Sequence, residues 1–257
     1  MNLSKIVIVL ARPEDSANVG AVCRAMANND ITELRIVGNR QDFDEGKVRT
    51  VAIHASHIWE NCGFYDSIRG ATKDCAVAAG TTRRRGKKRK KLLLPEEFCD
   101  FASAIAGAKN QENATGKSCS DGGKVAVVFG NERTGLTDNE FDECTIGVTI
   151  PTSKNFASLN LSHAVQIICR QFFMSTDKSS CGYTPITLAR LDETVKSIAD
   201  NFQNIGFFSL TGRIDMENFW RMILSRAALS EGEACYIEKT FSKMAGLARK
   251  NEKNKSI

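Results

Sequence analysis

The sequence is short of the residues that build metal centres and disulfide scaffolds. Among 257 residues there are three histidines. The nine cysteines (Cys23, Cys62, Cys75, Cys99, Cys119, Cys144, Cys169, Cys181 and Cys235) contain no C-x-x-C pair. Neither a zinc site nor a disulfide framework is expected, and the thiols read as small apolar core residues. No apolar run approaches the roughly 18 residues that a membrane span requires, and the apolar start, Ile6 to Leu10, is too short for a signal-peptide core. A cytoplasmic protein with no membrane partner is the expectation. Nucleotide signatures are missing as well. No G-x-G-x-x-G occurs, and Gly130 and Gly135 have phosphate-loop spacing, but Leu136-Thr137 follows them, with leucine where the phosphate loop needs lysine. This disfavours a Rossmann or triphosphate-binding reading. Aromatic residues make up 7% of the chain, with no aromatic-rich RNA-binding module among them.

What is present is the composition of a globular protein, 42% apolar and 25% charged, long enough for one large domain and a smaller appendage. Lys5 to Leu10, Glu33 to Val37, Asp74 to Ala79, Lys124 to Phe129 and Cys144 to Ile150 read as strands. Several are apolar throughout, as strands covered on both faces are. Helical periods lie between them: Val19, Val22, Cys23 and Met26 form one stripe, Phe98, Phe101 and Ile105 another, and Leu161, Ala164, Val165, Ile168 and Phe172 a third. Ser16 or Asn18 can cap the first helix. The alternation predicts an α/β domain over residues 1–174 with a mainly parallel sheet. Residues 175–185 are a linker by composition. Residues 186–257 form a small all-α extension, with Leu191, Val195, Ile198 and Phe202 facing inward along its first helix.

Charge is unevenly spread. The net charge is only +5, yet eight of the nine residues from Arg83 to Lys91 are cationic. Such a block repels itself and directly follows a strand end, which favours a nucleic-acid contact over a merely solvated loop. Arg83, Arg84, Arg85, Lys87 and Lys88 are its candidate RNA contacts, and no DNA partner is expected. Asn110 to Gly123 is a polar, Gly- and Ser-rich excursion.

Strand ends carry the candidate site. Gly80-Thr81-Thr82, a glycine followed by two hydroxyl residues, follows the third strand; in open α/β sheets, ligands sit beyond such ends. Ile150 closes the fifth strand, and the loop Pro151 to Asn160 runs into a helix near Leu161. Ser158, Leu159 and Asn160 therefore present a hydroxyl, an amide and backbone N–H groups at a helix start, serving either as an ordinary cap or as a ligand cradle.

Three segments taken together resemble the motifs of the SpoU/TrmH-type 2′-O-ribose methyltransferases of the SPOUT class. They are Asn18-Val19-Gly20-Ala21-Val22-Cys23-Arg24-Ala25, then Val128 to Leu136, then Ile150-Pro151 with Ser158-Leu159-Asn160-Leu161-Ser162. Gly80-Thr81-Thr82-Arg83 and the helical extension are similar to the TrmJ branch, whose members methylate the ribose of tRNA nucleotide 32. The resemblance implies a parallel α/β sheet with a C-terminal trefoil knot and a homodimer whose active sites are shared between subunits. It implies tRNA as partner and S-adenosylmethionine as methyl donor, held by Gly80, Thr81, Thr82, Gly130, Ile150, Ser158, Leu159 and Asn160. Arg24 corresponds to the arginine assigned to the ribose 2′-hydroxyl; Asn18, Ser158 and Asn160 join it as catalytic candidates. Arginine stays protonated under nearly all protein conditions and is a poor base. Arg24 is therefore expected to hold a phosphate and stabilise oxyanion charge. Asn18 is expected to support Arg24 or the dimer partner, and Glu132 the Gly130 loop. Methylation of another RNA, such as rRNA, and a silent RNA-binding relative remain as alternatives.

Overall fold

The computed structural model describes residues 1–84, 92–106, 123–176, 184–208 and 212–255, with side chains up to 250. β1 (Ile6–Ala11) and α1 (Ser16–Ala27) lead into β2 (Glu33–Val37), α2 (Glu45–Ala52), α3 (Ser56–Glu60), β3 (Gly63–Tyr65) and α4 (Ile68–Thr72). There follow β4 (Cys75–Thr81), β5 (Leu92–Leu93), α5 (Pro95–Ala106), β6 (Lys124–Phe129), α6 (Asp138–Glu143), β7 (Ile146–Val148) and α7 (Leu161–Phe173). These elements lie in a compact unit spanning Met1–Thr184; a second unit spans Pro185–Ile257. Most of the basic block, including Arg85, Lys87 and Lys88, lies outside the described residues, as do most of the 110–123 excursion and of the 175–185 linker.

The strands form one sheet in the order β3-β2-β1-β6-β4-β7-β5, and all its pairings are parallel. β1 pairs with β2 on one side and β6 on the other, and is buried from Ile6 to Ala11. This explains its uninterrupted apolar sequence: a parallel strand covered by helices on both faces has no solvent side for polar residues. The two edge strands, β3 and β5, were not expected. At three and two residues they are too short to display any period, and their pairing with β2 and β7 creates them. β7 lies between β4 and β5, which are consecutive in the chain. Thr82 N–H donates to Val148 O at 2.9 Å and Thr149 N–H to Leu93 O at 2.9 Å, so β7 is gripped by the segments on either side of residues 83–91.

The helices bury the faces their periods predict, with local differences. In α5 the inward residues include Phe98, Cys99, Ala102, Ile105 and Ala106, while Phe101 is only half-buried at the margin of that face. Phe98 meets Phe172 of α7 edge-on at 5.6 Å. α1 is capped by Asp15, whose Oδ1 accepts from Ala17 N–H at 2.9 Å, and not by Ser16 or Asn18. Ser16 is buried, and its Oγ accepts from Asp44 N–H. Gly20 has a packing role: a Cβ there would lie 2.5 Å from Val48 O, so α2 could not approach α1 as it does.

At the N-terminal ends of the strands, Arg35 is buried in an ionic cluster. It pairs with Asp74 at 2.5 Å and with Glu33, and donates to Ala71 O at 2.5 Å; Lys124 pairs with Glu33 at 2.9 Å and Asp74 at 3.2 Å. The cluster joins β2, β4 and β6 on the side of the sheet away from the candidate loops.

In the second unit the described residues form α8 (Leu188–Asn204), α9 (Arg213–Ala227) and α10 (Glu231–Lys255). Leu191, Val195 and Ile198 are buried along α8. Phe202 is half-buried and packs with Phe207 and Phe241 at ring distances of 4.8 and 5.4 Å. Arg190 clamps α8 to α10 through Glu231 at 2.8 Å and Glu238 at 2.6 Å.

Candidate functional site

Loops at the carboxyl ends of β4, β6 and β7 enclose a cleft of about 210 Å³. Its walls include Thr81, Thr82, Arg83 and Arg84 after β4, Phe129 to Leu136 after β6, and Ala157, Ser158 and Leu159 before α7. A smaller adjoining recess of about 120 Å³ adds Ile150 and shares Thr81, Thr82 and Leu159. Of the eight residues expected at the cofactor, six therefore line these two spaces: Thr81, Thr82, Gly130, Ile150, Ser158 and Leu159. The other two lie beside them. Gly80 is buried beneath the cleft, where a Cβ would press on Cys144 Sγ and Phe141 at 3.0 Å, so its part is close packing. Asn160 caps α7 instead, its Oδ1 accepting from Ser162 N–H at 2.9 Å.

The loop after β6 owes its shape to two glycines and an asparagine. Gly130 has to be glycine, because a Cβ would fall inside the backbone of Gly135 and Leu136 as the loop folds back. Gly135 adopts φ +67°, which glycine takes without strain, and its N–H closes the turn on Asn131 O at 2.8 Å. Asn131, 6% exposed, uses both ends of its amide. Oδ1 accepts from Arg133 N–H at 2.9 Å and Thr134 N–H at 3.3 Å; Nδ2 donates to Arg12 O and Glu14 Oε1, both at 2.9 Å. Sequence reading passed over this residue. The available signal was an asparagine one place after a strand-end glycine, a favoured start for a side-chain-bonded turn.

Glu132 points to the β1–α1 turn, accepting from Glu14 N–H at 3.0 Å and Asp15 N–H at 3.4 Å. Its Oε1 also accepts from Asn18 Nδ2 at 3.1 Å. Asn18 Oδ1 in turn accepts from Asn160 Nδ2 at 3.0 Å. The three motif segments are thus joined by one chain of side chains, Glu132 to Asn18 to Asn160. Within one chain Asn18 is engaged with Glu132 and Asn160 and makes no bond to Arg24, the first of its two expected roles; the second, support of the dimer partner, lies outside a single chain. The Arg24 side chain is exposed on α1 with no hydrogen-bond or ion-pair partner among the described residues.

Nearby, Arg12 at φ +53° follows β1 and forks onto Glu140 at 2.5 and 2.8 Å. Burial alone would raise the Glu140 carboxyl, but the hydrogen bond and charge of Arg12 together with hydrogen bonds from Thr137 outweigh it and hold the carboxyl below its ordinary value. Arg84, expected as an RNA contact, donates to Thr134 O at 3.1 Å and so bridges the loops after β4 and β6. Arg83 is exposed at the cleft wall.

These features suit a nucleoside-bearing ligand. Backbone at Gly130 and Gly135 is free of side chains, Thr81, Thr82 and Ser158 bring hydroxyls, and Leu136, Leu159 and Ala164 supply apolar wall.

Residues 5–170 match the SpoU rRNA Methylase family. The chain is 33% identical over 168 residues to the tRNA (cytidine-2′-O-)-methyltransferase TrmJ of Methanocaldococcus jannaschii, covering 65% of this chain and 67% of that protein. It is 32% identical over 183 residues to the tRNA (cytidine/uridine-2′-O-)-methyltransferase TrmJ of Cronobacter sakazakii, covering 71% and 69%. The matched stretch thus spans about two thirds of each relative. In fold the chain is similar to TrmJ from Z. mobilis ZM4, with TM-score 0.72, 23% identity and coverage of 93% of this chain and 98% of that one. From the matched span and these relatives, the chain belongs to the SpoU rRNA Methylase family and is a methyltransferase.

Proposed function

We propose that this protein is a TrmJ-type tRNA methyltransferase that transfers a methyl group to the ribose 2′-oxygen of nucleotide 32, a cytidine or uridine. The reading is carried by the hydrogen-bonded chain Glu132–Asn18–Asn160, which links all three motif segments beside the cleft. The identity to proteins named TrmJ in both an archaeon and a bacterium supports the branch. The trefoil knot belongs to the same reading, supported by the position of β7 between β4 and β5. So do a homodimer with shared active sites, a cytoplasmic setting, and a helical tRNA-binding role for residues 186–257. Among the described residues no helix is long and apolar enough to cross a membrane.

S-adenosylmethionine supplies an electrophilic methyl group on a positively charged sulfur. Thr81, Thr82, Gly130, Ile150, Ser158 and Leu159 would hold it, with Gly80 and Asn160 fixing the backbone around them. The chain's own task is to orient the nucleophile and manage charge. Arg24 binds the phosphate next to the target ribose and stabilises negative charge on the attacking oxygen; the proton leaves to phosphate or water, since a guanidinium cannot accept it. Asn18, Ser158 and Asn160 keep the loops in register with Arg24. Arg83 and Arg84 join Arg85, Lys87 and Lys88 as phosphate contacts.

The test is incubation with methyl-labelled S-adenosylmethionine and unmodified tRNA transcripts, followed by mapping of the labelled ribose by mass spectrometry. Label on the 2′-oxygen of nucleotide 32 is expected, absent in Arg24→Ala and much reduced in Arg24→Lys. Label on another nucleotide would retain the chemistry and reject the site; full turnover by Arg24→Lys would reject bidentate positioning.

A further inference from the structure

The loop from Thr152 to Asn160 has space on two sides. One side is the cleft described above. On the other lies a wider cleft of about 630 Å³, whose wall includes Thr152, Phe156, Ser158, Asn160, His163 and Glu132. The two spaces share Glu132, Ser158, Leu159 and Leu161, so a single layer of the motif loop divides them.

Phe156 is the most exposed large apolar side chain among the described residues, at 80%. Its neighbours in sequence, Ser153, Lys154 and Asn155, are exposed and polar, and Thr152 Oγ1 closes the loop beneath it on Ala157 O at 3.2 Å. A protein partner is met by a contiguous apolar patch with a polar rim. Phe156 has hydroxyl, ammonium and amide groups beside it in the chain and shares the cleft wall with Pro151, Leu159 and Leu161; an exposed ring so placed can serve as a base-stacking platform, where one π-face suffices and the polar neighbours meet sugar and phosphate.

Chemistry fixes the relation between the two clefts. Displacement at a methyl carbon is in-line, so donor and acceptor must occupy adjoining spaces on opposite sides of the transferred group. Unpaired RNA bases are commonly held by stacking on aromatic side chains. Resting on the functional reading above, we infer that the wider cleft is the acceptor subsite, and that Phe156 stacks on an unpaired base of the RNA to seat the target nucleotide against Ser158 and Asn160.

Phe156 is exposed, so its truncation leaves the core intact. The experiment is steady-state methyl transfer to unmodified tRNA by wild type, Phe156→Ala, Phe156→Tyr and Phe156→Trp, with S-adenosylmethionine affinity by calorimetry and oligomeric state by sedimentation. The expected result for Phe156→Ala is a KM for tRNA raised about tenfold, with donor affinity and sedimentation unchanged and KM restored by tyrosine or tryptophan. An unchanged KM in an otherwise active Phe156→Ala would overturn this inference alone. Weakened donor binding would overturn it by assigning Phe156 to the first cleft, and a shift in sedimentation by assigning it to a contact between copies of the chain. If wild type transferred no methyl group to any RNA, the functional reading would fall and the inference with it.

Discussion

Asn160 donates its side-chain N–H to Asn18 Oδ1 at 3.0 Å, while its own Oδ1 accepts from Ser162 N–H and caps α7. One amide thus performs two separable tasks, starting a helix and tying it to α1. Its partner passes the connection on to Glu132. The chain holds three loops in one geometry without placing any of its bonds across the cleft itself.

The two tasks come apart on substitution. Asn160→Asp keeps the cap acceptor but has no N–H for Asn18; its melting temperature should stay close to wild type while methyl transfer falls about tenfold to a hundredfold, the scale of a small misplacement at a reacting centre. Asn160→Ala should lose the cap as well, at about 1 kcal/mol. Asn18→Ala combined with Asn160→Asp should be little slower than either alone, because both break one chain. Additive losses in a double-mutant cycle would show that the two asparagines act independently.

Gly130 and Gly135 make opposite demands. Gly130→Ala collides with backbone and must move the loop, so S-adenosylmethionine affinity should fall at least tenfold by calorimetry. Around Gly135 there is open space, and Gly135→Ala should cost only the left-handed backbone penalty of about 1–2 kcal/mol. Its donor affinity should change less than that of Gly130→Ala.

Asn131→Ala leaves Arg133 N–H, Thr134 N–H and Arg12 O without their partner. Arg133, Thr134 and Arg12 are exposed, so water can replace part of what is lost, and the cost should be about 1 kcal/mol, the net worth of an ordinary hydrogen bond. A lower melting temperature should accompany weaker donor binding, and saturating S-adenosylmethionine should recover most of the lost stability by mass action.

The ionic cluster predicts an acid-sensitive fold. The hydrogen bond from Arg35 outweighs burial and, with smaller contributions from the Arg35 charge and from Lys124, lowers the Asp74 carboxyl well below its ordinary value. For Arg35, burial opposes the charge, but hydrogen bonds to Asp74 and Glu33 more than restore it. Because the folded-state value of Asp74 is depressed, its stabilisation is complete above the unfolded value near 3.9 and is lost as pH falls through the folded one. Asp74→Asn should be less stable at neutral pH by about 2 kcal/mol, below the ~3–5 kcal/mol of a fully buried pair because Asp74 is partly exposed and Glu33 remains. Its chemical-denaturation midpoint should depend less on pH below about 4 than that of wild type; parallel curves for the two proteins would reject Asp74 as a source of acid sensitivity.

How far the site was legible follows from the range of its interactions. Thr81, Thr82 and Ser158 could be read as ligand-loop residues because hydroxyl groups at a strand end or a helix start have a local meaning, whereas Gly130 and Ile150 came only with the family resemblance. The contacts of Asn18 within the chain could not be read in advance because Glu132 and Asn160 are 114 and 142 residues away. Asn131 was missed because an asparagine in a turn is common; only its burial against the β1–α1 turn distinguishes it.

The sequence by itself determined the central strands, the main helices and the loops that carry glycine, hydroxyl and amide groups, since periodicity and backbone preference act over a few residues. Tertiary structure alone decided the order of the sheet, the edge strands β3 and β5, the insertion of β7 between two consecutive strands, and the meeting of Glu132, Asn18 and Asn160. Parallel pairing joins segments far apart in the chain, and a hydrogen bond across more than a hundred residues leaves no period in the sequence that forms it.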